Sequence, residues 1–259
     1  MGTKETTGPS AASGETREPN ETQQYRIRDL SRIPRLRGRI AILITLLTFG
    51  AGWTDLLAYL FLGRVFASFM TGNILFVGFA LSEGDYNLLE SALVAILVNF
   101  AGVGVGSLIV QRAPILRTVA GWRSVLVRTL AIEWCLLFIF TVLILVTNMK
   151  GQGTGLLVLG IAAMAMGIQG GVVISFDIPG IVANALTAVV ILLGQAAGQD
   201  IDHTEEQSDW KWKNQFRVGL LLMYAIGALI VGLTSSAAII RAGPLVILTG
   251  SIVFILAML

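Results

Sequence analysis

Eight long apolar segments dominate this 259-residue chain and restrict the folds open to it. A helix needs about 20 residues to cross the roughly 30 Å of hydrocarbon in a bilayer, and most of the segments are that long. Of all residues, 55% are hydrophobic and 13% are charged, against about 25% charged in an ordinary soluble domain. The sequence therefore predicts an all-α polytopic membrane protein whose partner is the lipid bilayer. The segments lie at about 39–62, 65–82, 88–110, 123–148, 155–177, 181–198, 216–239 and 244–259.

The second and sixth segments divide the possible topologies. If all eight cross, the basic loop with Arg112, Arg117 and Arg123 lies outside, against the rule that cytoplasmic loops carry the excess of Lys and Arg. If the second and sixth segments enter the membrane and return, that loop lies inside, together with Lys211, Lys213 and Arg217. The charge distribution therefore favours six crossings plus two re-entrant or half-length segments. The alternative is seven or eight full crossings.

The first 38 residues form a polar tail ahead of the predicted membrane domain at 39–259. Residues 1–24 are rich in Gly, Ser, Thr, Pro and Glu, a composition typical of disordered tails. An arginine cluster follows, directly before the first apolar segment, and places the N-terminus in the cytoplasm. A cluster in that position favours a topology signal or a contact with anionic lipid over a nucleic-acid site. Its members are Arg26, Arg28, Arg32, Arg35, Arg37 and Arg39.

Sequence markers recur at a near-constant spacing and indicate an internal repeat. Repeat 1 covers about 39–148 and repeat 2 about 154–259, with three crossings each. An odd number of crossings inverts the second half, an arrangement in which transporters bind substrate near the midplane between discontinuous helices. The marker pairs, at offsets of 115, 117, 116 and 116 residues, are Gly52-Trp53-Thr54-Asp55 with Gly167-Ile168-Gln169-Gly170, Gly63 with Gly180, Thr71 with Thr187, and Gly78 with Gly194.

The apolar run from Gly63 to Leu81 is interrupted in its middle by Thr71, Gly72 and Asn73. A soluble helix would show a polar stripe at helical spacing, whereas here the polar atoms are bunched at one level. Lipid offers no hydrogen-bond partners, so such residues face protein or a water-filled cavity. We predict that the three residues form the tip of a re-entrant element that lines a solute site. The alternative is a capped helix break that packs the two halves together.

A resemblance to a known family rests on two strings, Gly52-Trp53-Thr54-Asp55 and Val65-Phe66-Ala67-Ser68-Phe69-Met70-Thr71-Gly72-Asn73. They are similar to the signature of the YoaK-like family of integral membrane proteins (domain of unknown function 1275), and the polar N-terminal tail resembles that of fungal members. The resemblance covers roughly residues 40–259. It implies a membrane protein of about six helices and no particular activity.

Two carboxylates lie deep in predicted helices. Asp55 is about four residues, or roughly 6 Å, from the midpoint of the first segment, and Glu133 is similarly deep in the fourth. An ionised carboxylate at this depth is costly, so such residues usually face a cavity or a partner and mark ion or proton pathways. We predict that both bind a solute or a proton. The alternative for Asp55 is a neutral or arginine-paired group that tethers helices, with Arg64 or Arg128 as its partner.

Other polar and small residues complete the candidate set. Gln169 and Asn184 are the predicted solute contacts of the second half, whereas Asn99 predicts an interhelical hydrogen bond. Glycines four residues apart let helix backbones approach closely. Such pairs are Gly102 with Gly106 and Gly167 with Gly171.

The sequence lacks the patterns of a catalytic site: we find no phosphate-binding Gly-Lys-Ser/Thr loop and no serine elbow. His203 lies in an acidic stretch without a second His or Cys nearby, so we predict no metal site. We expect no cofactor and no enzymatic activity. The predicted function is a transporter or facilitator of a small polar or anionic solute, proton-coupled through Asp55 and Glu133. The alternative is a non-transporting membrane scaffold or accessory subunit.

Overall fold

A computed structural model describes residues 34–112, 119–146, 152–175, 186–198 and 204–234, and within these ranges the regular structure is all helical. Each of the first seven predicted segments coincides with one helix. The eighth, at about 244–259, lies outside the described residues. The helices are α1 (Pro34–Phe61), α2 (Met70–Glu83), α3 (Tyr86–Gln111), α4 (Val119–Val146), α5 (Gln152–Ser175), α6 (Leu186–Ala197) and α7 (Thr204–Thr234).

Helix length separates two classes of element. The helices α2 and α6 have only 14 and 12 residues, or about 21 and 18 Å at 1.5 Å per residue, which is too short for a perpendicular crossing. The two segments that the sequence singled out, the second and the sixth, thus contain the two short helices, and that they do not cross fully stays a prediction. Large apolar side chains such as Leu97, Phe100 and Leu229 are exposed on outer faces, as lipid-facing surfaces require. Within the described ranges, five helices are long and apolar enough to span a membrane: Ile40–Phe61, Tyr86–Gln111, Val125–Val146, Gly153–Ile174 and Trp210–Leu233.

Helices α3 and α5 form the tightest pair, and glycines make their contact possible. A Cβ added to Gly102 would lie 2.6 Å from the carbonyl oxygen of Met164, and one added to Gly171 would lie 2.5 Å from that of Val103. These neighbours are backbone atoms, which cannot move aside as a flexible side chain could. The close packing predicted from the glycine spacing is therefore confirmed.

Glycines also join α1 to α7. A Cβ on Gly52 would collide with the carbonyl oxygen of Tyr224, and one on Gly227 would collide with that of Phe49. Because the two backbones touch here, the side chain of Tyr224 reaches residues one turn along α1. This contact brings together positions 169 residues apart in the sequence.

The chain between α1 and α3 leaves the end of α1 and returns to it. Gly63 and Arg64 have φ angles of 103° and 61°, a left-handed conformation that glycine adopts freely and arginine rarely. Asp85 directly precedes α3, and its Oδ2 lies 2.7 Å from Arg64 Nη2. Between these two points the chain runs inward through an irregular stretch, residues 62–69, and back along α2.

The position of the helix break differs from the sequence prediction. Thr71, Gly72 and Asn73 lie in the first turn of α2 rather than in the middle of an interrupted helix. The break is earlier, at residues 62–69. The sequence pattern misled because the polar group that supports the irregular backbone, Asn73, stands inside the following helix and not in the break itself.

Candidate functional site

The carboxylate of Asp55 is the centre of a buried hydrogen-bond cluster. Asp55 is 2% exposed, and its Oδ1 accepts a hydrogen bond from the Ser68 amide at 2.6 Å. Its Oδ2 accepts from the Ser68 hydroxyl and from the Tyr224 hydroxyl, both at 2.6 Å. Asp55 lies on α1, Ser68 lies in the irregular stretch and Tyr224 lies on α7. Asp55 thus joins three separate parts of the fold.

The expected arginine partners of Asp55 are elsewhere. Arg64 pairs with Asp85, and Arg128 is exposed on α4. The tether that the sequence suggested for Asp55 therefore uses hydroxyl and amide donors instead of a guanidinium. Three donors on one carboxylate replace part of the hydration that it loses on burial.

Two asparagines satisfy the backbone of the irregular stretch. Asn73 Oδ1 accepts from the Phe66 amide at 2.9 Å, and its Nδ2 donates to the Phe66 carbonyl at 2.7 Å. Asn99 Nδ2 donates to the carbonyls of Ala67 and Ala163, each at 3.2 Å. Non-helical backbone inside a membrane is stable only when protein or water supplies such bonds. The interhelical bond predicted for Asn99 is confirmed, and Asn73 takes the helix-break role that was its alternative.

Gly72 and Thr71 have different surroundings from Asn73. A Cβ on Gly72 would lie 2.6 Å from the Phe69 ring and 3.0 Å from the Phe66 ring, so the glycine provides the space in which these rings pack. Phe66 also stacks on Tyr59 and Phe76, with ring centroids 5.6 and 5.7 Å apart. Thr71 is exposed on the outer side of α2. These two residues therefore do not join the cluster around Asp55.

Glu133 and Gln169 form a second group of buried polar side chains, on α4 and α5. They are 1% and 2% exposed, yet Glu133 Oε2 and both polar atoms of the Gln169 amide have no hydrogen-bond partner within the part of the chain that the structure describes. Leaving a buried polar group unpaired costs about 1–3 kcal/mol. Both residues lie in a largely apolar core, with Leu130, Leu137 and Ala165 equally buried on the same two helices.

Glu133 and Gln169 lie at similar positions along the axes of α4 and α5. A short connection joins α4 to α5 and the helices pack on each other, so they run antiparallel. Glu133 precedes the end of α4 at Val146 by 13 residues, and Gln169 follows the start of α5 at Gln152 by 17. At 1.5 Å per residue the difference is about 6 Å along the helix axes.

Comparison with known proteins identifies the family. Residues 43–258 match the family described as "Protein of unknown function (DUF1275)". The chain belongs to this family. A relative in the DUF1275 family, the "UPF0700 transmembrane protein YoaK" of Bacillus subtilis (strain 168), is 28% identical over 191 residues, which cover 74% of this chain and 82% of the relative. No solved structure matches the chain.

Sequence reasoning missed two members of the Asp55 cluster in this DUF1275 chain. Ser68 was visible as a hydroxyl within the family string, but nothing in the sequence connects it to a residue 13 positions earlier. Tyr224 is a lone tyrosine in an apolar helix, and its link to Asp55 depends on the glycine contact between α1 and α7. Asn184 lies outside the described residues. Among the described residues no group of three His, Cys, Asp or Glu side chains could hold a metal ion.

Proposed function

We propose that this membrane protein is a transporter or facilitator of a small polar solute. The observation that carries the proposal is a pair of buried side chains, Glu133 and Gln169: among the residues that the structure describes, Glu133 Oε2 and both polar atoms of the Gln169 amide have no hydrogen-bond partner. Polar residues that only fasten helices together form permanent bonds, as Asp55 and Asn99 do. A buried polar side chain that can complete its hydrogen bonds only when something else binds to it points instead to a transient ligand. Glu133 and Gln169 are our solute or ion contacts.

The proposed architecture is an inverted repeat with six crossings and a cytoplasmic N-terminus. Helix α2 begins at Met70 and α6 at Leu186, 116 residues later, the same offset that separates the sequence markers. Each half then has the order long, short, long, long, with the predicted segment at 244–259 as the last member of the second half. Asn184 follows Ser68 by 116 residues, so in the proposed repeat it takes the place of Ser68 beside the second half-length helix. The two short helices are the discontinuous elements between which such transporters bind substrate.

Asp55 is the proposed coupling residue. Its carboxylate accepts three hydrogen bonds from two other elements. Protonation would turn one accepting oxygen into a donor, and the geometry that now holds Ser68 and Tyr224 could not persist unchanged. A proton on Asp55 would thereby loosen the irregular stretch from α1 and α7, which is the kind of movement that alternating access needs.

The test is solute flux into liposomes with the purified full chain, measured beside the detergent melting temperature. We expect Glu133→Gln and Gln169→Met to lower flux at least tenfold without lowering the melting temperature. Glu83→Gln, at the exposed end of α2, is the matched control and should change neither quantity. A metabolite-uptake screen of wild type beside Gln169→Met identifies the solute. Full flux in both core variants would contradict the proposed solute contacts.

A membrane scaffold or accessory subunit is the second candidate, and the satisfied cluster around Asp55 favours it. Every polar contact there binds one part of the chain to another, as a scaffold requires. If Asp55→Asn abolishes co-purification of a membrane complex while solute flux stays at the wild-type level, the scaffold is the better description.

A further inference from the structure

A cavity of about 480 Å³ opens where α1 ends and where α3 and α5 begin. Its volume falls within the range of about 300–1,000 Å³ that is usual for small-molecule sites. It is separate from Asp55, Glu133 and Gln169, none of which lines it. The lining combines apolar side chains and glycine with four polar residues, Arg64, Asp85, Asn87 and Ser91.

A positively charged and a negatively charged side chain line the cavity, and they form an ion pair with each other. Among the described residues that line it, Arg64 and Asp85 are the charged ones, with side chains 63% and 29% exposed and 2.7 Å apart. Ion pairs that are open to water contribute little to stability, so a competing ligand can separate this one. Arg64 donates to Asp85 through Nη2. A guanidinium can bind both oxygens of a carboxylate through two parallel N–H groups.

The two partners differ in how firmly they are held. Asp85 is fixed, because its Oδ1 also accepts the Leu88 amide at 3.1 Å and caps α3. Arg64 is a long side chain on a left-handed residue, at φ 61°, directly after the left-handed Gly63. Such a conformation is costly for arginine and tends to persist at functional positions. The turn places the Arg64 side chain in the lining of the cavity.

We propose that this cavity is an outer binding site for a small zwitterion that carries a carboxylate and an ammonium group. The ligand's carboxylate would take the place of Asp85 on the Arg64 guanidinium, and its ammonium group would bind the Asp85 carboxylate. Both protein charges then keep a partner of opposite sign. An anion alone would leave Asp85 unpaired beside it, and a cation alone would leave Arg64 unpaired.

This inference rests on the proposed transport function for its role and narrows the solute to amino-acid-like zwitterions. In the proposed topology the cavity lies at the end of α1 opposite the cytoplasmic arginine cluster. A zwitterion would bind there first and then pass the irregular stretch that begins at Leu62. The binding step itself needs no transport, so it can be measured on its own.

Binding is tested by the melting temperature of the detergent-purified full chain with each of the twenty standard amino acids. Each amino acid that binds is compared with analogues that lack one charge: propionate and ethylamine for L-alanine, 4-methylpentanoate and 3-methylbutylamine for L-leucine. We expect at least one amino acid to raise the melting temperature saturably. Its single-charge analogues should need at least tenfold higher concentrations for the same shift.

Two variants remove the charges while keeping the local backbone. Arg64→Asn retains a residue that tolerates the left-handed conformation, and Asp85→Asn retains a helix cap. Each should weaken amino-acid binding at least tenfold, whereas the controls Arg112→Gln and Glu83→Gln should not. The proposal is overturned if no amino acid shifts the melting temperature, if the acid-only analogue binds as well as its parent, or if both variants bind normally.

Liposome flux separates this proposal from the transport function. Amino-acid binding without any flux would remove the transporter and leave the site. Amino-acid flux that Arg64→Asn does not change would remove the site and leave the transporter.

Discussion

The two groups of buried polar residues in this bundle differ in one respect, which is whether their hydrogen bonds are made. Around the irregular stretch, Asp55, Asn73 and Asn99 bond to backbone or hydroxyl groups of other elements. On α4 and α5, Glu133 and Gln169 are buried to the same extent, and Glu133 Oε2 and the Gln169 amide make no such bond to any described residue. Burial and polarity alone therefore do not identify a solute site in a membrane protein. The absence of a permanent partner is the more selective criterion.

The two groups should also differ in how their removal changes the stability of the fold. The bonded cluster stabilises non-helical backbone that lipid could not solvate, so its removal should damage the fold. The unbonded pair costs free energy in the absence of a ligand, so its removal should leave the fold intact or improve it. Opposite signs of the stability change are thus expected from substitutions that look alike in the sequence.

The largest expected effect comes from Asp55→Leu. This change strands the Ser68 amide, the Ser68 hydroxyl and the Tyr224 hydroxyl, and each unpaired buried group costs about 1–3 kcal/mol. We expect unfolding in mixed detergent micelles to become easier by about 4 kcal/mol. Asp55→Asn, which keeps one accepting oxygen, should lose about half as much. Equal stability of Asp55→Leu and wild type would show that the cluster does not hold the fold.

The next effect is that of Asn73→Ala. It strands the amide and the carbonyl of Phe66, so we expect a loss of about 2–3 kcal/mol. Solute uptake per folded molecule should stay near the wild-type level, because Asn73 is fully buried and both ends of its amide are bonded to Phe66. Lost uptake with an unchanged melting temperature would instead restore Asn73 as a direct solute contact.

A change of opposite sign is expected for Gln169→Met. Methionine has a similar length and no amide to desolvate, so stability should rise by about 1 kcal/mol. Flux should fall at the same time. If Gln169→Met destabilises the protein as Asn73→Ala does, the two polar groups are equivalent and the unbonded pair loses its functional interpretation.

Much of the fold followed from the sequence, and the reasons are physical. Hydrophobic length located the first six helices to within five residues at each end and singled out the segments that contain the short α2 and α6, because bilayer thickness sets how long a crossing helix must be. Helix α7 begins at Thr204, 12 residues before its predicted segment at 216–239, because the helix includes polar residues that a hydrophobic pattern does not register. Glycine spacing predicted that α3 and α5 would each pack closely against a neighbouring helix, because a missing Cβ is a local property of the sequence, but it did not predict that they pack on each other. Both inferences depend only on neighbouring residues.

The candidate site was predicted less completely. The sequence nominated Asp55, Asn73, Glu133 and Gln169 as one set because all are polar residues in apolar surroundings. Which of them has a partner depends on contacts between distant segments, such as Tyr224 with Asp55, and no local pattern encodes those. The cavity at Arg64 was missed for the same reason, since its lining comes from three helix ends.

The smallest expected effect is that of Thr71→Ala, which tests the exposed face of the first turn of α2 against the buried face that carries Asn73. Thr71 shares the exposed face of the helix with Ile74 and Leu75, whereas Asn73 points into the fold. Substitutions on such faces usually change stability by less than about 0.5 kcal/mol. We expect Thr71→Ala to leave both melting temperature and uptake unchanged, which makes it the matched control for Asn73→Ala two residues away. A loss of uptake in Thr71→Ala alone would mean that solute passes along the outer face of α2, and the distinction between bonded and unbonded groups would then no longer locate the transport path.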